Sequence, residues 1–331
     1  MTMTARVIVA LSTAYRELLF TPDAWRRLDE LADVDVLPDD ATALPERVCS
    51  EYDVLITGWG TPQLQRVDGD RLRLIVHTTG SWREALGPDV FSSEVAVSQA
   101  GSDPMARAVA EFALTMELVL LREVHSYDRG IQTTRDYAAS RHPEFGTAIH
   151  TVRHGLIGLS RVGVWHARML RGLGCEDIVA FDPYFSPERA AELGVRLVPL
   201  DDALASPVVA MHAPVTPETR RMLGREEFAR IPDGGIFLNT ARAAVVDGDA
   251  LERELIAGRI RAGLDVFDEE PLPADCVLYG LPNVLLTPHV AGATRQACWE
   301  QGTCAVDEVE RLLAGERLLF EMERAAAQHL S

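Results

Sequence analysis

The chain is short of positive charge. Its 50 Asp and Glu outnumber 32 Lys and Arg, a formal net charge of −18, which argues against a polyanionic partner such as DNA or RNA. A small anion stays admissible, because a few arginines set the local field. Long apolar runs are also missing. No stretch approaches the ~18–20 uninterrupted apolar residues of a membrane span, and the opening "MTMTARVIVALSTAYRELLF" has too short an apolar run for a signal peptide. Cysteine is sparse and unpatterned: Cys49, Cys175, Cys276, Cys298 and Cys304 form no C-x-x-C pair and no metal-ligand spacing. Neither a disulfide framework nor a metal is expected, and reduced thiols in a cytoplasm are. No internal repeats or low-complexity tracts appear, which excludes repeat architectures.

What is there suits two ordinary globular domains. The 331 residues are 47% hydrophobic, enough for two cores. Within the first hundred residues "ARVIVAL", "VDVL", "YDVLIT", "LRLIVHTTG" and "EVAVSQA" read as strands. From about 154 onward "HGLIGL", "DIVAFD", "VVAMH", "GIFLN", "AGLDVF" and "VLLTPH" do so again. Apolar, β-branched strands alternating with amphipathic helical text imply parallel sheets covered on both faces. The fold class is therefore α/β, with two doubly wound parallel-sheet domains. Two long helical patterns, "MARAVAEFALTMELVLLREV" after Pro104 and "TRQACWEQGTCAVDEVERLLAGE", flank the second set of strands. The tail is expected to return to the first domain, giving a discontinuous unit, 1–103 plus 295–331, around an inserted unit, 104–294.

The segment "HGLIGLSRVGVWHARMLRGLGCEDIVAFD" nearly spells G-x-G-x-x-G between a strand and a helix. Gly158 permits the tight bend and Gly163 lets the helix pack against the strand, while Ser160 stands where backbone approaches a pyrophosphate. Its Cβ moves the phosphate slightly outward, and its hydroxyl offers a donor. The helix N-terminus supplies free N–H groups and positive potential, and Arg161 lies in the turn to cover the phosphates. Asp182, 19 positions beyond Gly163, is placed to accept both ribose hydroxyls and to repel a 2′-phosphate, favouring NAD over NADP. As a residue before Pro183 it also reads as a cap or turn residue.

Three later segments carry polar groups past strand ends, where open α/β sheets place their ligands. They are "FLNTARAAVVD" with Arg242, "AGLDVFDEEPL" with Asp265 and Glu270, and "VLLTPHVAGAT" with His289. An arginine grips a carboxylate in a forked geometry and polarises a carbonyl. A histidine moves a proton near neutral pH, and a carboxylate beside it fixes its tautomer. The set suits interconversion of a 2-keto acid and a 2-hydroxy acid, the hydride belonging to the cofactor. Taken singly, each has a plainer reading: a surface ion pair for Arg242, a solvated charge for Glu270, a core histidine for His289.

Taken in order, "GLIGLSRVG", "FDPY", "HAPVTPETRRMLG", "FLNTARAAVVD", "GLDVFDEEPL" and "LLTPHVAGAT" resemble the D-isomer-specific 2-hydroxyacid dehydrogenase family over nearly the whole chain. The resemblance implies two Rossmann-like or flavodoxin-like domains with an active-site cleft between them, and NAD as cofactor. It implies Arg242 for the substrate carboxylate and His289 as acid/base, paired with Glu270. It also implies a cofactor site of Gly158, Ser160, Arg161, Val162, Gly163, Asp182, His212, Ala213, Pro214, Thr240, Ala241, Asp265, His289 and Gly292. The turn Thr79, Gly80, Ser81 looks like the loop that receives the substrate carboxylate. A homodimer through the NAD-binding domain is implied as well.

The sequence departs from the family pattern at Ser160, at Ala243 after Arg242, and in "TTGSWREALGP" and "AGSDPMARAVAE", where Met105 takes an asparagine position. The substrate side is thus atypical. Trp59 and Trp82 are candidates to wall a pocket for an apolar or aromatic 2-keto acid, with core packing the other reading, and Arg83 for a second anionic group. Two alternatives share the scaffold: a formate- or phosphite-type dehydrogenase, against which Glu270 argues because the formate type uses glutamine there, and a nicotinamide-sensing, corepressor-like binding protein.

Overall fold

The computed structural model describes residues 4–141 and 145–322; positions 1–3, 142–144 and 323–331 of the expected units lie outside them. The chain divides into two compact units, one running through Met105 and resuming at Ala293, the other Ala106–Gly292.

In the first unit five strands, β1 (Arg6–Val9), β2 (Asp33–Val36), β3 (Val54–Thr57), β4 (Leu74–His77) and β5 (Ala96–Ser98), form one sheet in the order β2-β1-β3-β4-β5. All its pairings are parallel. Successive residues point to opposite faces: Val7, Val9, Val54, Ile56, Leu74 and Val76 enter one core, Ile8, Leu55, Ile75 and Val97 the other. The first of these cores is completed from the far end of the sequence by Cys298, Ala305, Val306 and Val309 of the helix Arg295–Ala314. Gly302 makes that docking possible, since a Cβ there would strike the Leu19 carbonyl. The buried Glu308 then accepts the Leu319 N–H at 2.8 Å and the Phe320 N–H at 3.3 Å, fixing the segment that follows.

In the second unit seven parallel strands, β6 (His154–Ile157), β7 (Ile178–Phe181), β8 (Arg196–Leu197), β9 (Val208–Met211), β10 (Ile236–Asn239), β11 (Arg261–Leu264) and β12 (Val284–Leu286), run in the order β12-β11-β10-β9-β6-β7-β8. Six match the strands expected from the sequence. The seventh, β8, is a two-residue edge strand whose pattern is too short to show periodicity. Every residue of β6, β9 and β10 is buried, as a sheet covered on both faces requires. Ile157, Val209, Met211 and Phe237 fill one layer, and Leu156, Ala210, Ile236 and Leu238 the other. The winding reverses between β6 and β9, so the loops after these two strands border the crevice where such sheets bind ligands. Among the described residues no helix is long and apolar enough to cross a membrane.

Candidate active site

The turn after β6 is built by close approach. Gly158 has φ +96°, and a Cβ on it would lie 2.8 Å from the Ala213 nitrogen. A Cβ on Gly163 would strike the Gly158 carbonyl oxygen. Only glycine fits at either position, and the helix Arg161–Gly172 thereby starts directly over the strand end. Ser160 at its N-cap makes no side-chain hydrogen bond to the first turn. Helices begun by Thr21, Asp247 and Thr294 are all capped by a side chain. The N–H groups of Arg161, Val162 and Gly163 are thus left for an outside acceptor, as an anion site requires. Arg161 opens the helix and is exposed.

The Ser160 hydroxyl does not face that acceptor site as the sequence suggested. It donates to the His212 carbonyl at 2.9 Å, tying the turn to the end of β9, where the buried His212 and Ala213 lead to Pro214. The backbone at Ser160 is unstrained, with φ −59°, so the middle position tolerates a side chain once its oxygen has this partner. Asp182, past the end of β7, accepts the Leu159 N–H at 2.7 Å on one oxygen and the Tyr184 and Phe185 N–H groups at 2.9 and 3.1 Å on the other. The turn-residue reading of Asp182 therefore holds, and its carboxylate also clamps the glycine turn.

The polar set follows β10, β11 and β12. Asn239 brackets the first loop, donating to the Arg242 carbonyl at 3.1 Å and accepting the Ala241 N–H at 3.1 Å. Within that loop the Thr240 hydroxyl is buried with no partner among the described residues. Arg242 is half-buried, and burial holds its pKa below the ordinary value although the Glu270 carboxylate opposes this. Asp265 is fully buried and accepts from the Thr287 hydroxyl at 2.6 Å and from the Val290 and Ala291 N–H groups at 3.0 and 2.9 Å. It fixes the loop that carries His289 and ends near Gly292. That anchoring matters because His289 has φ +52°, a left-handed conformation that a non-glycine residue keeps only when its surroundings enforce it.

His289 Nδ1 lies 2.6 Å from Glu270 Oε2. The other Glu270 oxygen accepts the Phe267 N–H at 3.0 Å. Burial works to raise the Glu270 pKa, but these hydrogen bonds and the nearby Arg242 charge hold it below the usual carboxylate value. With Nδ1 donating to a carboxylate, Nε2 is the ring atom left to exchange a proton. Arg242, Glu270 and His289, spread over 48 sequence positions, thus come together in one unit with the glycine turn. The uncapped helix, the two obligatory glycines and the orphaned Thr240 hydroxyl fit a dinucleotide.

The candidate substrate residues lie in the other unit. Trp59 follows β3 and stacks at a tilt on Tyr15, ring centroids 5.6 Å apart. Thr79 is buried, its hydroxyl 3.0 Å from His77 Nε2, and Gly80 and Ser81 continue the turn past β4. The Gly80 carbonyl accepts from Gln99 at 2.5 Å, and Met105 sulfur lies 3.3 Å from where a Gly80 Cβ would be. Trp82 does not wall a pocket. It is buried in the apolar core that Ile8, Leu55, Ile75 and Val97 share, edge-on to Phe91 at 4.6 Å, with the Arg83 guanidinium 5.0 Å from its ring centroid. Sequence reasoning passed over Glu117, His154 and His166, which are buried beneath the glycine turn. Polar residues at positions of apolar periodicity were the only signal.

Fold and site together define a parallel α/β protein with a dinucleotide turn and an Arg–Glu–His set at the sheet's carboxyl edge. Residues 114–291 match the model of the D-isomer specific 2-hydroxyacid dehydrogenase NAD-binding domain, and the chain belongs to that family. It is 38% identical over 211 residues to the D-3-phosphoglycerate dehydrogenase of Mycobacterium tuberculosis, an alignment covering 63% of this chain and 39% of that protein. It is 30% identical over 259 residues to the glyoxylate/hydroxypyruvate reductase B of Pectobacterium carotovorum, covering 76% and 81% respectively. The crystal structure of a phosphoglycerate oxidoreductase from Rhizobium etli superposes with a TM-score of 0.79 at 25% identity, over 96% of this chain and 98% of that one. The chain aligns with about two fifths of the length of the mycobacterial phosphoglycerate dehydrogenases.

Proposed function

We propose that this protein is an NAD-dependent oxidoreductase that interconverts a 2-keto acid and a D-2-hydroxy acid. The observation that carries the reading is the 2.6 Å pairing of His289 Nδ1 with Glu270, within reach of the Arg242 charge and on the same sheet edge as the glycine turn. Bound NAD supplies the hydride acceptor, and NADH the donor. Arg242 binds the substrate carboxylate and polarises the carbonyl. In the reducing direction imidazolium Nε2–H delivers a proton to the carbonyl oxygen; in the oxidising direction neutral Nε2 takes it from the hydroxyl. Glu270, kept ionised, stabilises the charged ring and holds its tautomer.

The same reading assigns the pyrophosphate to the N–H groups of Arg161, Val162 and Gly163 with Gly158 and Ser160, and the adenosine ribose to Asp182. His212, Ala213 and Pro214 lie along the dinucleotide, and Thr240, Ala241, Asp265 and Gly292 hold its nicotinamide end. Asp182 disfavours NADP by charge. Thr79–Ser81, with Trp59, receive the substrate in the unit built from 1–103 and 295–331, and 104–294 is the cofactor unit. A cytoplasmic homodimer joined through the cofactor unit completes the proposal. The similarity to the glyoxylate/hydroxypyruvate reductase supports a small 2-keto acid. Steady-state NADH oxidation with a panel of 2-keto acids, followed by chiral analysis of the product, tests it. A D-hydroxy acid is the expected product; an L-product, or NADH bound and never consumed, overturns it.

A further inference from the structure

Beneath the glycine turn lies a buried chain of ionisable groups that the proposed reaction does not use. Glu117, on the helix Ser102–Leu121, has no exposed surface. One of its oxygens is 2.7 Å from His154 Nδ1 and the other 3.1 Å from His166 Nε2. His166 Nδ1 is in turn 2.9 Å from His212 Nε2. His154 Nε2 lies 2.9 Å from the Ile149 carbonyl.

Proton counting assigns every member. His154 faces an acceptor at both nitrogens, so both carry protons and the ring is a cation opposite the Glu117 carboxylate. His212 Nδ1 has no partner among the described residues. A proton there would be an orphaned buried donor, so the proton sits on Nε2 and is donated to His166 Nδ1. His166 then carries its proton on Nε2 and donates to Glu117. The result is a one-way chain, His212 to His166 to Glu117, balanced by one buried ion pair with His154. The electrostatics agree. Burial alone would raise Glu117, yet the two imidazole hydrogen bonds bring it to about 2. Burial opposes charge on His154, but Glu117 holds its pKa above the ordinary value. Burial and the facing His166 keep His212 well below its own.

His212 is where this chain meets the site. Its N–H donates to the Ile157 carbonyl at 2.8 Å, its own carbonyl holds the Ser160 hydroxyl, and its Cβ is 3.6 Å from where a Gly163 Cβ would be. We infer that Glu117 and His166 are positioning residues for the dinucleotide turn, acting through His212, and that the Glu117–His154 hydrogen bond keeps them in register. The inference rests on the reading of this turn as the pyrophosphate site.

The pair gives the arrangement a pH signature. A cation whose pKa is raised by folding contributes fully below its unfolded value of ~6.5 and loses that contribution as pH rises through the raised value. The other charge acting on it is Asp177, which also raises its pKa; Glu117 in turn faces His166 and acts on Cys175. Burial and then Glu117 push the Cys175 thiol up to about 11, so it stays neutral through most of the alkaline range.

Titration of NADH by its fluorescence tests the inference. Glu117→Leu leaves the His166 Nε2–H unpaired, and the Kd is expected to rise at least about tenfold at pH 7. Glu117→Gln can accept from His166 and donate to a neutral His154, so every hydrogen bond survives without the charge. Its Kd is expected within about twofold of wild type at pH 7 and flat as pH rises, while the wild-type Kd rises once His154 loses its proton. If Glu117→Leu does not fold, the two pH profiles decide. A folded Glu117→Leu variant with wild-type Kd, or wild-type and Glu117→Gln profiles that coincide, overturns the inference. Wild-type protein that binds no NADH at any pH overturns instead the dinucleotide reading beneath it.

Discussion

Replacing Gly163 by alanine perturbs the glycine turn by one methyl group. That methyl would lie well under 3.0 Å from the Gly158 carbonyl oxygen, with His212 Cβ 3.6 Å away on another side. Neither neighbour is the end of a flexible side chain, so the helix Arg161–Gly172 must lift from β6 by roughly 1 Å, an overpacking that costs ~1–3 kcal/mol. The same displacement carries the N–H groups of Arg161 and Val162 off the acceptor position, where hydrogen-bond energy falls steeply with distance and angle. The Kd for NADH should rise about ten- to hundredfold, or ~1.4–2.8 kcal/mol, with a Tm lower by several degrees. Nucleotide-fluorescence titration and a parallel thermal melt measure both. Ser160→Gly is the companion variant. It restores the common glycine, yet it relieves no strain and forfeits the bond to the His212 carbonyl, worth ~0.5–1.5 kcal/mol, so affinity should drop modestly instead of improving. A Gly163→Ala protein with unchanged Kd and Tm would refute the claim that this contact sets the turn.

Arg242→Ala should lower kcat/KM for the keto acid by roughly a hundredfold or more, the scale of a lost charge-assisted contact in a transition state, while NADH affinity changes little; equal losses in both would remove the carboxylate role. Asp182→Ala should shift the ratio of NADPH to NADH use by about tenfold toward NADPH, and because the Leu159, Tyr184 and Phe185 N–H groups lose their acceptor, NADH itself should bind less well. An unchanged ratio in cofactor competition would dismiss the charge argument. His77 is buried between Thr57 and Thr79, and burial takes its pKa down to about 4. The unfolded chain therefore binds the proton first, and stability should fall as pH drops from ~6.5 to about 4, by roughly 3 kcal/mol in all. Urea unfolding across that range checks this, and His77→Gln should flatten the slope; a native slope in the variant would assign the effect elsewhere.

The strands of both sheets except the two-residue β8, and the obligatory glycines, were legible because their signals are local: apolar runs, turn residues and a strand–glycine–helix succession. The Arg242, Glu270 and His289 set was legible for a related reason, since each follows a strand whose end is marked in sequence. Orientation was not. Whether the Ser160 hydroxyl turns to a phosphate or to a carbonyl 52 residues away depends on how β9 abuts β6, which no local pattern encodes. Trp59 and Trp82 look alike in sequence, both near a glycine in a loop, yet Trp82 lies in the core with Phe91 and one apolar face of the sheet. Glu117, His154 and His166 were invisible for the same cause. Each alone reads as an isolated polar residue in an apolar stretch, and only the packing of the helix Ser102–Leu121 against β6 and the helix Arg161–Gly172 shows that they satisfy one another.

The most direct measurement is NADH consumption by wild-type protein and by His289→Gln, followed at the NADH absorbance band with a 2-keto acid present. The account predicts turnover in the first, none in the second, and NADH affinities within about twofold of each other, because glutamine keeps a polar side chain beside the nucleotide and loses only the proton transfer. Undiminished turnover in His289→Gln, or no consumption of NADH by wild-type protein with any 2-keto acid, would contradict it.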